Sequence, residues 1–156
     1  LIDGMANGAS MFSGKAVGSK YKQLFDETIK MTYKWLLALA LFLMGGYYLT
    51  SAHCIRMFTS IQEVIVMAQA YELYVLFYPV CAGVGMVLYG VFCGATRTAP
   101  VRNMMLIALT VFYLLQHFLV PLWGNSGLWL ALLGFMLTQS IVLTTYLKGL
   151  IKDIFI

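Results

Sequence analysis

The side chains that could do chemistry in this sequence are a few polar groups set in long apolar stretches. Asp3, Asn7, Ser10 and Gly14 follow one another at intervals of three or four residues, which places them on one face of a helix. Asp3 is the one carboxylate that we expect inside an apolar helix, where it could bind a cation or exchange a proton. The alternative is a helix that packs through its small residues, with Asp3 at its outer interface.

A second polar stripe lies further along the chain. Asn103, Thr110 and His117 recur at seven-residue steps, so that they share one helical face, which we expect to be turned toward neighbouring helices. His117 could titrate near neutral pH. A role in hydrogen bonding between helices is the simpler interpretation of this stripe.

Aromatic and amide side chains complete the set of candidates. Tyr71 and Tyr74 are typical of an aromatic belt at a membrane surface. Tyr78 and Tyr89 lie deeper in the same apolar stretch and could present ring faces and hydroxyls to an aromatic cation. Gln139 is difficult to bury in lipid, and we expect it to face protein or a water-filled cavity.

These residues do not form the patterns of a metal site or of an enzyme. Cys54, Cys81 and Cys93 are far apart in sequence, and His53 has no second ligand at the spacing that a metal requires. No nucleophile–base arrangement or nucleotide-binding motif is present. We therefore predict no metal, no cofactor and no enzymatic reaction, and favour a protein that moves a solute.

The composition requires a membrane around these residues. The chain is 62% hydrophobic and 10% charged, whereas soluble domains carry about 25% charged residues. No charged residue occurs between Arg102 and Lys148, and this run is interrupted by turn-forming residues at 121–127. The net charge of +4 does not indicate nucleic acid, because the basic residues lie in short segments beside apolar ones, where they meet lipid headgroups.

The apolar runs predict an all-α integral membrane protein. A helix needs roughly 20 apolar residues to cross a bilayer. The expected spans lie near 1–18, 34–54, 73–96, 103–120 and 128–147, with amphipathic interfacial segments near 19–32 and 56–70. Because the first run is short and the chain begins with Leu1, we expect the start of the first helix to lie outside this sequence.

The basic residues predict the orientation of the chain. If the spans alternate in direction, nine of the ten Lys and Arg residues lie on one side and Arg56 alone on the other. The positive-inside rule then places the C-terminus in the cytoplasm and residues 121–127 outside.

Several segments, in order, resemble transporters of the multidrug and toxic compound extrusion (MATE) family, in the branch named for DNA-damage-inducible protein F. They are Asp3-Gly4-Met5-Ala6-Asn7 and Gly14-Lys15-Ala16-Val17-Gly18 in a helix similar to the eighth of that family, Phe58-Thr59 in the following outer loop, Gly90-Val91-Phe92-Cys93-Gly94-Ala95-Thr96-Arg97-Thr98 and Arg102-Asn103 around the tenth and eleventh helices, and Pro121-Leu122-Trp123-Gly124-Asn125-Ser126-Gly127-Leu128-Trp129-Leu130-Ala131 before the twelfth.

The resemblance implies a twelve-helix antiporter of the bacterial inner membrane, with two six-helix lobes that export organic, cationic compounds in exchange for protons or sodium. This chain would supply five helices of the C-terminal lobe, and its partner would be the N-terminal lobe, which in this branch holds the main proton-coupling aspartate. Tyr89 and Ser10 stand where the branch often has acidic residues. Asp3 would then be the main remaining acid of this lobe.

Other functions remain possible at this point. A flippase of the same superfamily would carry a lipid-linked or polysaccharide cargo with phosphate, which requires basic residues that the spans lack. A small stand-alone membrane subunit would have its start near Leu1. An intramembrane enzyme would need Asp3 and His117 within hydrogen-bond reach of a shared reactant.

Overall fold

The computed structural model describes residues 1–155, which form six helices and no strand. In chain order the helices are α1 (Ile2–Gly18), α2 (Lys22–Phe58), α3 (Gln62–Ala70), α4 (Glu72–Gly94), α5 (Thr98–Trp123) and α6 (Asn125–Phe155). Four of them, α2, α4, α5 and α6, are long and apolar enough to cross a membrane. At 17 residues, α1 is shorter than the roughly 20 that a full crossing needs. The predicted all-α membrane protein is confirmed.

Two boundaries differ from the predicted ones. The interfacial segment expected near 19–32 is not a separate helix, because α2 runs without a break over 37 residues and also contains the second expected span. The charged first turns of α2 and its apolar remainder belong to one hydrogen-bonded helix. The change from polar to apolar residues therefore does not mark the end of a helix.

The expected turn at 121–127 is also shorter than predicted. Pro121 lies inside the last turn of α5, and Gly124 alone separates α5 from α6. A proline near the end of a helix disrupts few hydrogen bonds. The reversal depends instead on Gly124, whose φ of 55° favours glycine, and whose N–H donates to Val120 O at 2.8 Å.

Helix α4 is the centre of the fold, since it packs against α1, α2, α5 and α6. The C-terminal half of α4 carries the largest part of the core, since Val87, Leu88, Val91 and Phe92 are at most 3% exposed. Close packing of these side chains holds the neighbouring helices against α4. Removal from water contributes little, because the surrounding lipid is itself apolar.

Small residues bring α1 unusually close to α4. A side chain at Gly90 would collide with the backbone carbonyl of Ala6, and one at Gly94 would collide with that of Ser10. The hydroxyl of Ser13, which is fully buried, lies 3.0 Å from the carbonyl oxygen of Ser10 in its own helix and 3.2 Å from that of Val91 in α4, so its proton is shared between the two acceptors. The GxxxG spacing of Gly90 and Gly94 therefore allows direct backbone contact between the two helices.

The loops that follow α1 and α4 close in the same way. In each loop, one non-glycine residue adopts the left-handed conformation, Lys20 (φ 53°) or Thr96 (φ 56°). That residue and the one after it donate to carbonyls of the preceding helical turn at 2.9–3.1 Å, the Schellman pattern. These caps bring Lys20 and Arg97 to one pocket, which Asp153 of α6 also lines.

Candidate functional site

Five of the nine residues that the sequence suggested line one cleft between α1, α4, α5 and α6. Its volume is about 460 Å³. The lining consists of Asp3, Ala6, Asn7 and Ser10 of α1, Met86, Tyr89, Gly90 and Cys93 of α4, Met104 and Met105 of α5, and Gln139 of α6. Asp3, Asn7, Ser10, Tyr89 and Gln139 thus share one site.

The α1 wall of the cleft follows from helical periodicity. Asp3, Asn7 and Ser10 are spaced by four and three residues, so all three point to the same side while Ala6 packs against Gly90 of α4. Asp3 and Asn7 are exposed and Ser10 is half-buried. The close contact of α1 with α4 therefore fixes a carboxylate and an amide at the open side of the cleft.

The opposite wall combines an aromatic ring, an amide and thioethers. Tyr89 projects from α4 and is 46% exposed, so its ring face is accessible. Gln139 of α6 is half-buried, and its Nε2 lies 3.8 Å from Sδ of Met105, a weak contact. Because that amide makes no strong hydrogen bond in this contact, its polar atoms remain available to a bound molecule.

The position of Gln139 depends on its neighbour Ser140. The Ser140 hydroxyl accepts from the backbone N–H of Gly85 at 2.9 Å and lies 2.9 Å from the carbonyl oxygen of Cys81. Gly85 permits this approach, because a side chain there would lie 3.1–3.2 Å from atoms of residues 139 and 140. These bonds hold α6 against α4 directly beside the cleft.

The electrostatics of the cleft favour a cation. Among the described residues that line it, Asp3 is the one charged side chain, and no Lys or Arg is present. Carboxylate, amide oxygens and the face of a tyrosine ring all attract positive charge. Residues 1–155 contain no group of three His, Cys, Asp or Glu side chains placed to hold a metal. The lining thus offers one carboxylate, two amides and one ring face on the same cleft.

Within residues 1–155, most of the α5 stripe meets no neighbouring helix. Helix α5 packs mainly on α6, and Met104 and Ala108 form its buried face. Asn103 is half-buried and its amide donates to the Tyr146 hydroxyl at 3.4 Å, but Thr110 and His117 are exposed in residues 1–155. Thr110 donates to the Leu106 carbonyl of its own helix at 2.9 Å.

His117 and Tyr78 also lie outside the cleft. His117 lines a separate pocket toward the C-terminal end of α5, where its ring meets that of Phe118 edge-on at 5.4 Å. Asp3 and His117 line different pockets and do not form a reactive pair. Tyr78 is half-buried and lies about two helical turns before Gly85. Tyr71 and Tyr74 stack with Trp129 of α6, with ring centroids 6.1–6.3 Å apart.

The contact of Ser140 with α4 has no signal in the sequence. The methionines are of a type that suits a soft, adaptable surface, and the structure places Met86, Met104 and Met105 beside Cys93 in the lining. The seven-residue interval from Met86 to Cys93, through Tyr89, was the available signal that they share a face.

The long apolar helices define a multi-pass membrane protein, with a polar cleft among its helices. The model of the MatE family matches residues 1–119, and the chain belongs to this family of membrane transporters. The chain is also 30% identical over 142 residues to DNA damage-inducible protein F of Escherichia coli (strain K12), covering 91% of this chain and 31% of that protein. The chain thus spans less than a third of the length of this relative. No solved structure matches it.

Proposed function

We propose that this chain forms part of the C-terminal lobe of a secondary antiporter, which exports organic cations in exchange for protons or sodium ions. The proposal depends on one observation above others: Asp3, Asn7, Ser10, Tyr89 and Gln139, from three helices, meet in a single cleft. Membership of the MatE family supports a transport function for the surfaces that surround it.

In this proposal the organic cation and the coupling ion compete for the carboxylate of Asp3. This carboxylate lies at the open side of the cleft, where it attracts positive charge. Tyr89 offers a ring face to the same cation. Met86, Met104 and Met105 supply flexible, polarisable surface that adapts to ring edges of different shapes.

The proposed location is the bacterial inner membrane, with the C-terminus in the cytoplasm. The charge distribution supports this orientation, because Lys20, Arg97 and the α6 tail at Asp153 share one pocket and so lie at the same end of the helices. The stacked rings of Tyr74 and Trp129 lie near the N-terminal ends of α4 and α6, and aromatic residues are enriched at membrane surfaces.

A flippase for lipid-linked or polysaccharide cargo is the second candidate within the superfamily. Such cargo carries phosphate, which is recognised by Arg and Lys side chains. Among the described residues, the lining of the cleft has one acidic side chain and no basic one. We therefore favour an organic cation.

The test is the substitution Asp3→Asn in the full-length product of the gene. Ethidium efflux is measured in cells that lack their own exporters, at equal amounts of protein in the membrane. Removing a carboxylate that binds the cation is expected to reduce efflux by about tenfold, which corresponds to roughly 1.4 kcal/mol of binding.

Two variants make this experiment specific. Asp3→Glu keeps the charge and should retain part of the efflux. Glu63→Gln, which removes an exposed carboxylate on α3, should leave efflux unchanged. Unchanged efflux with Asp3→Asn would remove Asp3 from the transport path and return it to a structural role.

A further inference from the structure

The hydroxyl of Ser140 occupies an unusual position in the neighbouring helix. Gly85 N–H and Cys81 C=O are the two partners of one i→i−4 hydrogen bond of α4. Ser140 Oγ lies 2.9 Å from both of these atoms, accepting from the first and donating to the second. Its alternative acceptor, the Met136 carbonyl of its own helix, is more distant at 3.2 Å. A side chain inserted in this way is one of the recognised causes of a helix bend.

The same stretch of α4 contains a second weak point. Pro79 lies inside the helix and has no N–H, so the carbonyl four residues earlier, at Val75, has no partner from it. The unpartnered carbonyl of Val75 and the Ser140 contact at Cys81 and Gly85 both fall within residues 75–85, about three turns of helix. This stretch therefore resists bending less than a regular helix does.

The two sides of this stretch are packed differently. Toward the C-terminal end of α4, Leu88 and Phe92 are fully buried, and Gly90 lies against the backbone of α1. Toward the other end, Leu73 is 64% and Phe77 is 49% exposed. The C-terminal half of α4 is thus buried more deeply than the N-terminal half, which meets α6 through the stacked rings of Tyr74 and Trp129.

We propose that Ser140 is a positioning residue, whose hydroxyl bridges Gly85 N–H and Cys81 C=O and thereby sets the course of α4 at residues 81–85 and the width of the cleft between Gln139 and Tyr89. Gln139 is adjacent to Ser140 in sequence, and Tyr89 lies one helical turn beyond Gly85. A change in the Ser140 bonds therefore shifts the two walls relative to each other. Its consequence for export depends on the function proposed above, but the geometric claim does not.

Neighbouring hydroxyls on α6 provide matched controls. Thr138 donates to the Gly134 carbonyl and Thr144 to the Ser140 carbonyl, both within α6 and both at 2.7 Å. Their removal deletes a hydroxyl from the same helix without removing a hydrogen bond to α4. The variants Thr138→Val and Thr144→Val separate the loss of a hydroxyl from the loss of this contact.

The test uses the full-length protein in lipid nanodiscs, with spin labels at Leu73→Cys on the exposed half of α4 and at Met11→Cys on α1, after removal of the native cysteines. Both positions are exposed and neither lines the cleft. The distance between the labels is measured by pulsed electron resonance. Ser140→Ala should shift or broaden the distribution by about 2 Å, the size of typical helix shifts. Both threonine variants should match the parent protein.

Ethidium efflux by the same variants separates the two proposals. A changed distance together with a raised KM for ethidium supports both the positioning role and the transport role of the cleft. A changed distance with unchanged efflux supports the positioning role and contradicts the role of the cleft in transport. A distance distribution in Ser140→Ala that matches the parent protein overturns the proposal for Ser140.

Discussion

The contact between α1 and α4 can be tested with a single added methyl group. In Gly90→Ala, the new Cβ would overlap the carbonyl oxygen of Ala6 and lie 2.9 Å from its carbonyl carbon and 3.1 Å from its Cα. These are backbone atoms, which cannot rotate away. The two helices must separate by about 1 Å or more to restore van der Waals distances.

The magnitude follows from two opposing terms. Overpacking costs about 1–3 kcal/mol, and replacing glycine by alanine in a helix returns up to ~1 kcal/mol. The separation also lengthens the bond from the Ser13 hydroxyl to Val91 O, now 3.2 Å. The free energy of unfolding should therefore fall by about 1–2 kcal/mol, and because Ala6 and Gly90 both line the cleft, ethidium efflux should fall too.

Gly149→Ala is the matched control for this prediction. Nothing lies within 4 Å of a Cβ at Gly149, so the same substitution should be neutral or slightly stabilising. Both variants of the full-length protein are unfolded in mixed micelles of increasing denaturing detergent, and the midpoints are compared. Equal midpoints for Gly90→Ala and Gly149→Ala would refute the close packing of α1 on α4.

Two further predictions follow from the same packing and from the charge distribution. Ser13→Ala removes a buried hydroxyl that contacts Val91 O of α4 as well as Ser10 O of α1, and should lower the free energy of unfolding by about 0.6–1.7 kcal/mol in the same assay. No change in the midpoint would show that Ser13 bonds only within α1. A reporter that is active only outside the cytoplasm should be active when fused after Gly124 and inactive when fused after Gly149, and the reverse result would invert the proposed topology.

The helices and one wall of the cleft could be predicted from the sequence alone. The spans follow from apolar runs that end at charges, a signal that does not depend on tertiary structure. The α1 face of Asp3, Asn7 and Ser10 follows from helical periodicity, and the structure places these three side chains together in one cleft. The MATE resemblance, carried by motifs such as Gly90 to Thr98, is confirmed by the family match.

The remaining features depend on how the helices are rotated and packed. Seven-residue spacing shows that Thr110 and His117 share a face of α5, but not which neighbour that face meets, and both are exposed in residues 1–155. A serine in an apolar helix can bond within its own helix, as Thr138 and Thr144 do. Only the packing of α6 on α4 shows that Ser140 reaches Gly85 instead.

The central claim, that the cleft binds the exported cation, is tested most directly by protection from chemical labelling. Asn7→Cys places a thiol in the cleft, and Thr110→Cys places one on an exposed face outside it. Each is introduced into full-length protein without native cysteines, and the rate of reaction with a small maleimide is measured with and without ethidium. Ethidium should slow labelling at Asn7→Cys and leave Thr110→Cys unchanged. Equal rates at Asn7→Cys with and without ethidium, in a variant that still exports it, would contradict the claim.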